Sequence, residues 1–148
     1  MTAYLLDVNV LLALTDPMHV HHDPAHRWFA GRGRSAWATC PITENGFVRV
    51  ASHPSYPNRP GDAPAVLAIL RQFCTVGGHQ FWSDDVSLRE VLRPGAVFTH
   101  AQVTDVFLLS LAVHRGGRLV SFDERIRPPP SRAAPRPSSS SPDRATVS

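Results

Sequence analysis

The chain switches repeatedly between short apolar runs of strand length and longer runs with a helical repeat. Residues 103–123, VTDVFLLSLAVHRGGRLVSFD, show the switch most clearly. The spacing places Val106, Leu109 and Val113 on one side of a helix, and Leu108, Leu111 and Ala112 widen that apolar surface. Gly116-Gly117 supplies the left-handed stop favoured at a helix C-terminus. Residues 118–122 then predict a short buried strand that delivers Asp123. A second acid, Asp105, interrupts the apolar helix. Burying an unpaired charge is costly, so both positions need a chemical reason.

The same rhythm starts near the first residue. Residues 3–6 predict a strand reaching Asp7, Val8-Asn9 a turn, and residues 10–14 a helix ended by Thr15-Asp16-Pro17. Asp7 and Asn9 suit either a helix cap or a site at the sheet edge. Residues 19–31 predict a helix anchored by Trp28 and Phe29, carrying His19, His21, His22 and His26. A zinc site there needs further ligands, and none follows in a recognisable spacing, so these histidines read as surface or capping groups. Residues 35–39 predict a strand, and Pro41 opens a helix with Glu44 close behind. Glu44 suits either the positive end of the helix dipole or a further site acid. A Pro/Ser/Asn/Gly loop spans 53–64, and an amphipathic helix spans 65–76 before Gly77-Gly78. A strand at 80–83, a short helix at 86–92 and a turn at Pro94-Gly95 follow, with Asp84, Asp85 and Glu90 solvated or capping. Alternating helix and strand patterns predict an α/β class with a parallel or mostly parallel sheet.

Composition changes this picture in three ways. First, 148 residues suffice for one domain with a core. Second, the net charge of +3 resides in residues 127–148, which hold four arginines and one acid. Residues 1–126 balance to zero, so the basic character does not by itself establish a nucleic-acid-binding face on the domain. With six prolines, six serines and no aromatic residue, the stretch 127–148 predicts a disordered tail. Third, the chain contains no lysine. Cys40 and Cys74 suit no metal spacing and read as reduced core thiols. The first apolar run is broken by Asp7 and Asn9, and no run approaches a membrane span, so a cytoplasmic location is expected.

The candidate chemistry lies in the acids. Asp7, Glu44 and Asp123 each follow a predicted strand, and Asp105 lies on a helix leading into one. In a parallel sheet those strand ends open on one edge. Two like charges near 4 Å cost about 4 kcal/mol at an effective dielectric of 20. A cluster of this kind takes up protons or cations. Hard oxygen ligands suit Mg²⁺ or Mn²⁺, which engage phosphate oxygens and acidify a water. Phosphodiester hydrolysis is the chemistry that follows.

Three stretches, LLDVNVLLAL, PITENGFVRV and VTDVFLLSLAVHRGGRLVSFD, together with the His/Trp-Phe pattern from His19 to Phe29, resemble the PIN-domain family, specifically VapC-type toxins. The resemblance covers about residues 2–126, taken as the PIN domain, with 127–148 as the tail. It implies a three-layer α/β/α fold and a Mg²⁺- or Mn²⁺-dependent endoribonuclease that inhibits translation and growth. It places the family's acidic quartet on Asp7, Glu44, Asp105 and Asp123. Asp7 and Asp105 would be the main metal ligands, Glu44 would complete the metal shell or orient the attacking water, and Asp123 would hold a second ion or a water. Asn9, Thr104 and Ser121 would support those acids by hydrogen bonds. The resemblance also implies a homodimer held inactive by a VapB-type antitoxin. One departure stands out: relatives continue past the Asp123 position into a final strand, whereas here the Pro/Ser/Arg tail follows.

The missing lysine weighs against a haloacid-dehalogenase-like phosphatase, a receiver domain and a P-loop hydrolase. A non-catalytic PIN-like module that binds RNA or an antitoxin is the reading from another class. Divalent-metal binding by the acids separates the two.

Overall fold

In a computed structural model that describes residues 2–122, four strands of three residues each form one parallel sheet. They are β1 (Tyr4–Leu6), β2 (Trp37–Thr39), β3 (His79–Phe81) and β4 (Arg118–Val120), ordered β3-β2-β1-β4. Helices α1 (Val8–Thr15) and α2 (His22–Gly31) follow β1, and α3 (Pro41–Ala51) and α4 (Ala63–Phe73) follow β2. Helices α5 (Leu88–Val91) and α6 (Val103–His114) lie between β3 and β4.

The period-two alternation of the strands splits the core into two layers. Leu6, Trp37 and Val120 face one way and pack with Leu11, Trp28, Phe47 and Val66 from α1 to α4. Leu5, Ala38 and Leu119 face the other way and pack with Leu108 and Leu111 of α6. This is the three-layer α/β/α arrangement that the family resemblance implies, built on the parallel sheet that the alternating pattern predicts. No helix among the described residues is long and apolar enough to cross a membrane.

Chain order sets the position of the site. Strands β1, β2 and β3 are added in one direction across the sheet, and β4 then pairs with the free side of β1. Strand order therefore reverses between β1 and β4, and α/β sheets open a crevice at the carboxyl ends of such strands. Asp7 leaves β1 there, and Ser121 leaves β4.

At the site, two local expectations need correction. The Val8-Asn9 turn is instead the first turn of α1, because Asp7 adopts an extended backbone and caps the helix through Val8 N. The strand expected to run to Phe122 stops at Val120. Phe122 N meets the side chain of Asn9, and the Ser121 hydroxyl meets Asp7, so the backbone leaves the ladder. Asp123 and the tail 127–148 lie outside the described residues.

Candidate active site

Asp7 is held from three sides. Its backbone N–H donates to Val120 O at 3.0 Å, which fixes it against the end of β4. Val8 N donates to Oδ1 at 2.7 Å, and the Ser121 hydroxyl donates to Oδ2 at 3.0 Å. The capping and site readings of Asp7 are thus compatible: one carboxylate oxygen serves the helix and the other faces the seam. Asn9 completes the clamp. Its amide nitrogen donates to Ser121 Oγ at 3.3 Å, and its amide oxygen accepts from Phe122 N at 3.4 Å. The first turn of α1 therefore grips the chain as it leaves β4, one residue before Asp123.

Asp105 sits half-buried in the first turn of α6, and Thr104 beside it is exposed. The apolar stripe of α6 packs on the second sheet face, which fixes the rotation of the helix that carries Asp105.

Glu44 occupies the first turn of α3, half-buried. Its Oε2 accepts from the Thr39 hydroxyl at 2.7 Å. Thr39 Oγ1 also lies 2.8 Å from His79 Nε2. A carboxylate only accepts, so the one hydroxyl proton goes to Glu44 and the imidazole N–H donates to Thr39. Among the described residues, the group of acid, histidine or cysteine side chains whose donor atoms all lie within 4.8 Å is Glu44, Cys74 and His79. Asp7 and Asp105 are not part of it. Burial holds His79 below its ordinary value against the pull of Glu44. Burial, with Glu44 adding to it, pushes the Cys74 thiol up to about 11, so it is protonated at neutral pH.

Thr39, Cys74 and His79 are neighbours of Glu44 that sequence reasoning missed. Parallel pairing of Trp37 with His79 brings β3 alongside β2, and Trp37 Nε1 donates to Val76 O at 3.0 Å to hold the intervening turn. No sequence spacing announces such a grouping. Both cysteines are free, as expected, but Cys74 is only half-buried.

The histidine segment behaves as a cap. His22 Nδ1 contacts Ala13 O at 2.7 Å, and His26 Nε2 contacts Leu14 O at 2.9 Å. Those carbonyls belong to the last turn of α1, where a helix leaves its acceptors unpaired. His21 stacks on Phe122, with ring centroids 4.5 Å apart. Asp85 is exposed, as expected of a solvated acid, and pairs at the surface with Arg115 at 3.2 Å. A cavity of about 680 Å³ lies between α2 and α4, lined by Leu14, Phe29, Ile69, Phe73 and Val76, and includes none of the acids.

Comparison with known proteins bears on this geometry. A family described as PIN domain matches residues 4–129. Ribonuclease VapC39 of Mycobacterium tuberculosis is 47% identical over 128 residues, covering 85% of this chain and 91% of the relative. Ribonuclease VapC44 of the same organism is 47% identical over 124 residues, covering 82% of this chain and 87% of the relative. Ribonuclease VapC38, also from that organism, is 49% identical over 125 residues, covering 82% and 86%.

Proposed function

The chain belongs to the PIN-domain family, and we propose that it is the endoribonuclease toxin of a VapBC-type toxin–antitoxin pair, hydrolysing RNA phosphodiester bonds with a divalent cation. One observation carries the reading. Asp7 leaves β1 at the point where strand order reverses, and its carboxylate is oriented by Ser121, the first residue past the neighbouring strand β4. An oxygen-only donor set of Asp7 with Asp105, Glu44 and Asp123 fits a hard cation, Mg²⁺ or Mn²⁺, better than a soft one.

In this reading Asp7 and Asp105 hold the cation and Asp123 supplies a further carboxylate. When bound, the ion neutralises charge on the phosphodiester and acidifies a water. Glu44 orients the attacking water and takes its proton, which requires its carboxylate to turn from Thr39 towards the seam. Ser121 and Asn9 keep Asp7 in one rotamer, and Thr104 supports Asp105. RNA is the substrate, a VapB-type antitoxin the inhibitor, and a homodimer the working form.

The test is incubation of the full chain with structured cellular RNAs, in Mg²⁺ or Mn²⁺ and then in EDTA, beside Asp7→Asn. Discrete cleavage that requires both metal and Asp7 supports the nuclease. Absence of cleavage by a folded protein supports the non-catalytic binding module instead.

A further inference from the structure

We propose that Glu44, Cys74 and His79 form a second metal site, selective for a borderline-soft divalent cation of the zinc class, and that filling it switches the nuclease off by holding Glu44. The second half rests on the assignment of Glu44 to the nuclease site; the first half does not.

The three donors come from separate elements: the first turn of α3, the C-cap of α4 and the start of β3. They are nonetheless gathered within 4.8 Å of one another. One carboxylate oxygen, one sulfur and one imidazole nitrogen form a mixed set that Mg²⁺ does not favour and Zn²⁺ does. Zinc bonds of about 2.0–2.3 Å put tetrahedral ligands roughly 3.5 Å apart, so closure needs movements of about an ångström. Three protein ligands leave the fourth position for a water.

The surroundings favour a cation. Among the described residues, no arginine or histidine lies within ion-pair distance of Glu44, and its carboxylate accepts from the neutral Thr39 hydroxyl. The backbone is braced on two sides. The Trp37 ring lies 4.6 Å from that of His79, and the Trp37–Val76 hydrogen bond fixes the link between Cys74 and His79. Metal uptake releases the Cys74 thiol proton to water and takes the lone pair of the unprotonated ring nitrogen of a neutral His79. The resulting thiolate and carboxylate together match the charge of the ion.

Glu44 cannot serve both sites at once. In the nuclease it turns to the seam beside Asp7; in the second site it stays beside Thr39. Zinc therefore competes with catalysis through one shared side chain.

The test uses the full chain with Zn²⁺ alone in equilibrium dialysis, and with Co²⁺ as a coloured substitute, in wild type, Cys74→Ala and His79→Gln. The proposal expects wild type to bind one more Zn²⁺ than Cys74→Ala. It expects a thiolate-to-cobalt absorption band that Cys74→Ala lacks, and zinc affinity at least about tenfold weaker in His79→Gln. Equal zinc uptake by wild type and a folded Cys74→Ala, or a cobalt spectrum that does not depend on Cys74, overturns it. In cleavage assays Cys74→Ala retains the wild-type rate with Mg²⁺ and resists micromolar Zn²⁺ that stops wild type. Zinc held through Cys74 with cleavage undiminished overturns the shared role of Glu44. Cysteine-dependent zinc binding in a protein that never cuts RNA upholds the metal site and overturns the nuclease reading.

Discussion

The Ser121 hydroxyl donates to Asp7 Oδ2 at 3.0 Å, bridging parallel strands whose last paired residues are Val120 and Leu6. The bond orients the carboxylate without neutralising it. Ser121→Ala therefore removes the orienting bond and leaves the fold intact, at a cost of about 1 kcal/mol. Loss of such a supporting bond typically weakens metal affinity by about 10–100-fold. Titration of RNA cleavage against Mg²⁺ should show a matching shift in the half-saturating concentration. A near-normal maximal rate is expected at high Mg²⁺. A fall in maximal rate with no shift in Mg²⁺ requirement would show that Ser121 does something other than orient Asp7.

Asp7→Asn separates charge from shape. Asparagine caps a helix as well as aspartate does, and its amide oxygen still accepts from Val8 N. The fold should persist, with thermal stability unchanged or raised because repulsion among the acids is relieved. Cleavage should fall by about a thousandfold, the equivalent of several kcal/mol of lost transition-state stabilisation. Melting curves and single-turnover cleavage check the two halves independently. A folded variant with wild-type rate would remove Asp7 from the site.

Much of this was legible in the sequence where the signal is local. The apolar stripe of α6, the proline that opens α3 and the acid that ends β1 lie within short windows, where periodicity and caps speak directly. Asp7 could be suspected from position, since a strand ending in an acid at a sheet edge is informative. The clamp of Asn9 and Ser121 could not be derived from spacing, because 112 residues separate the partners and strand register decides the contact. Glu44 was ambiguous between helix dipole and site. Its geometry adds a Thr39–His79 chain that depends on β3 pairing with β2. Side-chain partners across strands are set by the sheet, and a one-residue slip in register would have erased them all.

Asp16 links the end of α1 to the loop after α3. Tyr56 Oη donates to Asp16 Oδ2 at 2.7 Å, with Met18 N and Asn58 adding further bonds. Burial works to raise the Asp16 pKa, but these bonds outweigh it and hold the carboxyl below its ordinary 3.8. A depressed native pKa contributes stability that is present above the unfolded value and lost as pH falls through the native one. Tyr56→Phe should cost about 1 kcal/mol at pH 7, reduced from a fully buried charged hydrogen bond by solvent screening. The gap from wild type should narrow as pH falls below 3.8. Urea unfolding of both proteins at a series of pH values checks this. A gap independent of pH would mean that Tyr56 acts by packing alone.

Gly46 tests how tightly the site depends on the packing of α3 against α1. A Cβ at this position would lie 2.7 Å from Cγ2 of Val8, the residue after Asp7. Valine has little rotamer freedom in a helix, so the methyl cannot simply turn aside. Gly46→Ala gains about 1 kcal/mol of helix propensity, whereas overpacking typically costs about 1–3 kcal/mol. The net effect should be a loss of about 1 kcal/mol. Strain is also relieved by moving the first turn of α1, which carries Asp7 and Asn9. Cleavage should therefore fall more than the small loss of folded protein explains. Val8→Ala removes the opposing methyl, so adding it to Gly46→Ala should restore the rate towards that of Val8→Ala alone. Thermal melts and cleavage rates of the two single variants and the double variant form a closed cycle. A coupling near zero would show that α1 and α3 accommodate the methyl elsewhere, and that the position of Asp7 does not depend on this contact.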